Sequence, residues 1–207
     1  MNYLINNLSE ILNLTLTHIY ITILSTLPAI ILGIFLGILF SRKNFITFGK
    51  IFLGFFGILQ SIPSVAFVAL IFMYTGIGIK TAILSLFVYS IVPVIYNTTS
   101  SLILIPEDVI EAGKGMGLNK KEILIKIELP LSLKGIFSGI RTSLTINIAT
   151  ATVATVIGVD TLGKIILIGL RVRRLDMLWV GGVIVAIIAI LFDFLLEKIE
   201  DKTLKWI

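Results

Sequence analysis

The sequence predicts an all-α integral membrane protein with about five transmembrane helices, its N-terminus outside and its C-terminus inside. Three observations predict it. The 207 residues are 57% apolar and only 14% charged, with a mean hydropathy of +1.08, whereas soluble domains carry about 25% charged residues. The apolar residues fall into runs near 18–41, 49–75, 79–105, 135–158 and 177–196, and roughly 20 such residues cross a hydrocarbon core of about 30 Å. The basic residues, finally, divide unevenly between the two sides that five crossings create. Arg42, Lys43, Lys50, Lys114, Lys120, Lys121, Lys126, Lys134, Arg141, Lys198, Lys202 and Lys205 fall on one side, against Lys80, Lys164, Arg171, Arg173 and Arg174 on the other. Lysine and arginine are retained on the cytoplasmic side, which orients the chain.

Each element has its own justification. The opening MNYLINNLSEIL has no basic stretch and no small-residue cleavage site, so no removable signal is expected. Residues 3–16 suit a short amphipathic helix lying on the membrane surface. The first run contains Gly33 and Gly37, and the fourth contains Gly135 and Gly139. Small residues at that spacing let helices approach closely in lipid. Pro28, Pro63 and Pro93 interrupt the first three runs and are expected to kink them. The polar segment 106–133 forms a cytoplasmic loop between the third and fourth crossings. Between the fourth and fifth, GVDTLGKI (158–165) reads as a turn, and LRVRRLD (170–176) places three arginines outside, against the orientation rule. No internal repeat or linker divides the chain, which reads as one domain over 1–207.

Several chemistries are excluded or weakened. There are no cysteines, so there is no disulfide framework and no thiolate metal site. The net charge of +5 reflects the cytoplasmic lysines and arginines rather than nucleic-acid binding. GVDTLGKI fits a phosphate loop except for Ile165, where a Ser or Thr would hold magnesium, and it lies on the outer side, where ATP is absent. His18 is the single histidine and reads as a polar residue at the outer end of the first crossing. No metal site and no catalytic residues are expected.

Polar residues within the apolar runs are costly in lipid and often line a cavity. Gln60, Ser61, Pro63 and Ser64 surround the proline of the second run, and Thr145, Asn147 and Thr152 lie in the threonine-rich fourth. These are candidates for the wall of a translocation path, although Thr145, Ala149 and Thr152 would serve tight helix packing equally well. Asp193 reads as a helix-end residue bonded to a neighbour. In the polar segment, the glycines at 113, 115 and 117 divide two short helices carrying small apolar knobs, a form suited to docking in a groove of another protein.

The spacing in that segment resembles a family motif. Glu111-Ala112-Gly113, then Gly117, then Ile127, Leu129 and Pro130 resemble the EAA motif of the membrane subunits of bacterial and archaeal ABC importers, with Leu118 a further docking candidate in the same loop. Gly113 departs from it, standing where the motif has a second alanine. LQSIPSVAFVAL and the stretch from Phe137 to Leu170 resemble the osmoprotectant permeases of that group, for glycine betaine, carnitine and choline.

The resemblance covers roughly 20–198. It implies the type I importer permease fold, a multi-pass location in a prokaryotic cell membrane, and a path formed with a second permease chain, identical or related. Two ATPase subunits, carrying the ATP and magnesium that this chain does not bind, would dock on a coupling helix around Gly113 to Asn119. ATP-driven closure would then rock the crossings from inward-open to outward-open. The chain ends nine residues after Lys198, so a separate solute-binding protein is expected outside. A permease for methionine or another amino acid is the nearest alternative. Two other classes stay open, an intramembrane enzyme using Asp193 or Gln60 and Ser61, and a sealed membrane scaffold. Neither accounts for the match over 111–130.

Overall fold

In lipid a backbone must bond to itself, which leaves helices as the only open spanning structure. The apolar runs accordingly become helices in the structure, a computed structural model that describes residues 2–205, the side chains of Asn2, Phe56, Leu59 and Gln60 apart. In order they are α1 (Asn2–Asn6), α2 (Leu8–Phe40), α3 (Ile46–Ser61), α4 (Ser64–Thr75), α5 (Ile79–Ile103), α6 (Glu107–Gly115), α7 (Lys120–Ile123), α8 (Leu129–Ala151), α9 (Gly163–Arg171) and α10 (Leu175–Leu204). No strand occurs among the described residues. Helices α2, α5 and α10 are each long and apolar enough to cross a membrane alone.

Helix α5 is the most enclosed of these three, and glycines explain how it is gripped. A Cβ on Gly33 or Gly37 would lie 2.8 Å or 2.5 Å from side-chain carbons of Val94 or Thr98. From the other side, Gly135 abuts Ser101, and a Cβ on Gly139 would lie 3.0 Å from the Pro93 carbonyl. Both predicted glycine pairs thus bring α2 and α8 onto the same central helix. Hydrogen bonds tie the three together. Thr99 Oγ1 donates to the Gly37 carbonyl (3.2 Å), Ser143 Oγ to the Ser90 carbonyl (2.6 Å), and Asn147 Nδ2 to Ser25 Oγ (2.8 Å) and Thr26 Oγ1 (2.6 Å).

The helices alternate in direction, which sorts the connections between two ends. At one end the Gly78 N–H donates to the Ile157 carbonyl (3.1 Å), and the Arg174 guanidinium lies 5.4 Å from the Tyr3 ring centre. At the other, Arg42 pairs with Glu128, Lys43 with Glu107, and Arg141 with Glu200. The connections fall as the charge division requires, with the 106–128 segment and its four lysines, among mixed charges, at the second end.

Several expectations need correction. Residues 8–16 are not a surface helix; they begin α2, because Ile11 and Leu14 pack against Leu162, Ile165 and Met177. His18 is therefore well inside α2, fully buried, with Nε2 3.1 Å from the Ile148 carbonyl. Pro63 does not kink one helix but separates α3 from α4, and Tyr89 Oη satisfies the freed Ile62 carbonyl at 2.6 Å. The helical stretch of the fourth run starts before 135 and ends at Ala151, followed by a tight 3-10 segment, Val153–Ile157. Beyond the 158–162 turn stands a further helix, α9, which an apolar face holds through Ile165.

Candidate coupling loop and path-lining face

The loop is built by local rules that its residues satisfy one after another. Helix α6 follows Pro106 and opens with Glu107 and Asp108, acids that favour a helix N-terminus. It closes with a paired turn, in which the Leu118 N–H donates to the Gly113 carbonyl (3.2 Å) and the Gly117 N–H to the Lys114 carbonyl (2.9 Å). This closure needs one left-handed residue, and Gly117 supplies it with φ +81°. Gly113 and Gly115 lie within α6, so of the three glycines only Gly117 breaks the segment. The region from Gly113 to Asn119 is thus the last turn of α6 and the bend after it.

Asn119 starts the next helix. Its Oδ1 accepts from the N–H groups of Lys121 and Glu122, both at 3.0 Å, and Glu122 Oε2 accepts from the Asn119 N–H at 3.0 Å. That reciprocal cap satisfies donors the helix cannot satisfy itself. The Asn119 N–H, and after it Lys126, hold the Glu122 carboxyl below the usual carboxylate range. Leu118 and Ile123 flank the cap and both approach Gly113. Ile127 completes the knot, its Cδ1 lying 2.6 Å from where a Gly113 Cβ would stand. The departure from the motif's alanine is thereby accounted for, since Ile127 fills that space.

From Lys120 the helix runs unbroken into α8 through one wide π turn, Leu124–Glu128. Such bulges are often functional. At its end Glu128 takes two bonds from Arg42, at 2.9 and 2.7 Å. Arg42 follows α2 directly, so the loop is fastened to the first long helix. Lys43 reaches Glu107 (3.0 Å) and holds its carboxyl low. Glu111, Ala112, Met116 and Gly117 are exposed at the tip, while Leu118, Ile127, Leu129 and Pro130 are half-buried. A rigid, fastened loop with an exposed tip can transmit force.

The second candidate feature is the face of α8 carrying Ser138, Thr142 and Thr145, which opens on a cleft of about 500 Å³ also lined by Lys134, Arg141, Asp193 and Glu200. Arg141 makes two bonds to Asp193, at 2.7 and 2.9 Å, and a longer one to Glu200 at 3.5 Å. Asp193 has the bonded neighbour expected of it, from a helix far away in sequence, but it lies inside α10 rather than at a helix end, because α10 runs on to Leu204. Thr142 and Thr145 each donate their hydroxyl to the preceding turn of α8 at 2.9 Å. What they offer the cleft is oxygen lone pairs. Thr152, two turns beyond Thr145, bonds back in the same way to Ala149 (2.7 Å).

Asn147 faces the other way, buried against Ser25 and Thr26. Ser61 and Pro63 are exposed and Ser64 half-exposed at the α3–α4 break. The Gln60 side chain lies outside the described residues. No described hydrogen bond joins this break to Thr145 or Thr152. Sequence reasoning missed Arg42 with Glu128 and Arg141 with Asp193, because nothing local pairs residues so far apart. No group of three or more metal-ligating side chains occurs among the described residues.

Comparison with known proteins gives this geometry its context. The family described as binding-protein-dependent transport system inner membrane component matches residues 29–205. The osmoprotectant import permease protein OsmW of Salmonella typhimurium is 33% identical over 205 residues, 97% of this chain and 94% of that protein. The glycine betaine/carnitine/choline transport system permease protein OpuCB of Bacillus subtilis is 35% identical over 202 residues, 98% of this chain and 92% of that one. Among solved structures, the inward-facing MetNI methionine ABC transporter superposes with a TM-score of 0.80 at 21% identity, covering 95% of this chain and 97% of its own. An amino acid ABC transporter crystallised with histidines gives 0.73 at 14% identity, covering 99% and 97%. These likenesses show the fold.

Proposed function

The chain belongs to the binding-protein-dependent transport system inner membrane components, and on that premise we propose that it forms the path of an ATP-driven importer for a quaternary-ammonium solute such as glycine betaine, choline or carnitine. It is a permease subunit of a membrane transporter rather than an enzyme. In the proposed assembly two ATPase subunits, carrying ATP and magnesium, bind at the inner end, a second permease chain completes the path, and a separate binding protein delivers solute outside.

The observation that carries this reading is the loop from Glu107 to Pro130. Its bend is held by Gly117 and Asn119, its apolar knot is centred on Gly113, and its root is fastened by the Arg42–Glu128 pair. Force applied at Glu111, Ala112 and Met116 passes through the Gly117 bend and the knot at Gly113 into the continuous helix that starts at Lys120 and becomes α8. The Thr142–Thr145 face lies on that helix, so a push at the tip moves the wall of the cleft. The solute class is supported by the relatives and by the chemistry of that face. A quaternary ammonium has no N–H to donate, so these oxygens would meet it through charge–dipole attraction rather than hydrogen bonds.

The methionine reading draws on fold likeness alone, at 21% identity, whereas OsmW and OpuCB are above 30%. The test is uptake into proteoliposomes holding the whole complex, with radiolabelled glycine betaine, choline, carnitine and methionine supplied with the binding protein. ATP-dependent uptake of the first three supports the reading, and uptake of methionine alone overturns the solute assignment.

A further inference from the structure

The bend joining α9 to α10 keeps arginines on the side that basic residues of membrane proteins ordinarily avoid. It closes by the same rule as the inner loop. The Arg174 N–H donates to the Gly169 carbonyl (2.9 Å) and the Arg173 N–H to the Leu170 carbonyl (3.4 Å). The left-handed position is taken here by Arg173, at φ +53°, the one non-glycine residue with positive φ among those described. Glycine accepts that conformation freely, and an arginine does so only under strain. Strain of this kind persists where the surroundings fix it, and it collects at functional sites.

The three arginines are not equivalent. Arg174 is held by Asp176, at 3.1 and 2.5 Å, and lies over the Tyr3 ring. Arg171 and Arg173 are exposed, and neither guanidinium has a hydrogen bond or ion pair among the described residues. Two of the acids at this end are already engaged, Asp176 by Arg174 and Asp160 by Lys164 (3.0 Å). That leaves Arg171, Arg173 and Lys80 against Glu10 alone. The outer end therefore presents uncompensated positive charge on a conformationally fixed bend.

We propose that Arg171 and Arg173 are the contact by which the permease receives carboxylates on the solute-binding protein. The proposal rests on the function proposed above, since it requires such a protein on this side. Guanidinium groups pair with carboxylates through two parallel bonds whose geometry is specific. A lipid phosphate can be met by a mobile arginine on any backbone. What the strained bend adds is a fixed spacing, which a rigid protein surface can read and a fluid headgroup layer cannot. Rim charges of this kind steer encounter and make association salt-dependent.

The experiment uses the complete complex in nanodiscs of neutral phospholipid, titrated with the purified solute-binding protein of the same transporter. Affinity and stimulation of ATP hydrolysis are both read. Arg171→Glu combined with Arg173→Glu is expected to weaken docking about tenfold or more at low salt, with hydrolysis in the absence of binding protein unchanged. The wild-type affinity is expected to fall towards the variant's as salt rises. Arg173→Gly preserves the bend and removes the charge; docking is expected to weaken several-fold while the melting temperature holds or rises. Unchanged docking in both variants overturns the proposal. So does a deficit that appears only when anionic lipid is present, which would assign the arginines to headgroups. A wild-type complex that the binding protein fails to stimulate overturns the permease function as well, so the two failures are distinguishable.

Discussion

Two helices of this protein end in the same doubly bonded bend, one at each end of the bundle, and the left-handed residue differs. At the inner end it is Gly117, backed by Leu118, Ile123 and Ile127 converging on Gly113. At the outer end it is Arg173, backed by Gly169 against Met177, where an added Cβ would lie 3.0 Å from the methionine Cβ. Both bends close with the same pair of backbone bonds, so the bonding pattern alone does not choose the residue. Where shape is the whole task, glycine fills the position. A side chain held there at roughly 1 kcal/mol of strain has something to do beyond the chain. The comparison separates an inner bend that transmits force through its form from an outer bend that presents charge.

Substitutions sharpen or break this contrast. The largest effect is expected from Gly117→Val, where a β-branched residue meets φ +81° and costs roughly 2 kcal/mol locally. ATP hydrolysis should persist while uptake collapses, with membrane insertion and yield unchanged; loss of insertion would count against a docking role. Next comes Arg42→Ala, which frees Glu128 from the root of the loop and costs about 1 kcal/mol. A fall in the ratio of solute moved to ATP hydrolysed would register it, and Glu128→Gln should behave alike. A double-mutant cycle on the two reports their coupling.

Smaller still, and opposite in sign, Arg173→Gly should leave thermal stability equal or raise it by about 0.5 kcal/mol, as relieved strain exceeds glycine's added chain entropy. A clear drop in melting temperature would mean that Arg173 supports the fold, and the contrast would fail. The smallest effect belongs to Gly113→Ala, within about 0.5 kcal/mol of neutral, because helix propensity gains what moving Ile127 costs. Shortening that neighbour, with Ile127→Val beside Gly113→Ala, should remove the residual cost in a denaturation series.

Much of this was legible in the chain. Long apolar runs must become helices in lipid, so α2, α5 and α10 follow from composition, and glycine pairs at 33/37 and 135/139 foretell close helix contacts that the structure places on α5. The loop's spacing, with Gly117 and Asn119 at positions of special backbone need, follows from local rules. What was not legible depends on distant partners. Residues 8–17 look too polar for a crossing, yet Ile11 and Leu14 join α2 to α9 and α10. His18 looked terminal and is buried because Ile148, 130 residues on, offers its carbonyl. Arg141 and Asp193 are 52 residues apart and meet only once α8 and α10 pack. Helix α9 hides in what reads as a turn because it is only nine residues long; its apolar face, through Ile165, is too short to stand out beside the flanking turn residues.

The most direct test of the coupling role exploits the absence of cysteine in the chain. Met116→Cys places a single thiol on the exposed tip of the inner bend, and Arg173→Cys places one on the outer bend. In the assembled complex, a short thiol-reactive cross-linker should join position 116 to an ATPase subunit and position 173 to none, with the 116 adduct blocking solute uptake. If position 116 stays unlinked in an intact, active complex, or if position 173 links to the ATPase, the loop is not the site through which ATP hydrolysis moves these helices.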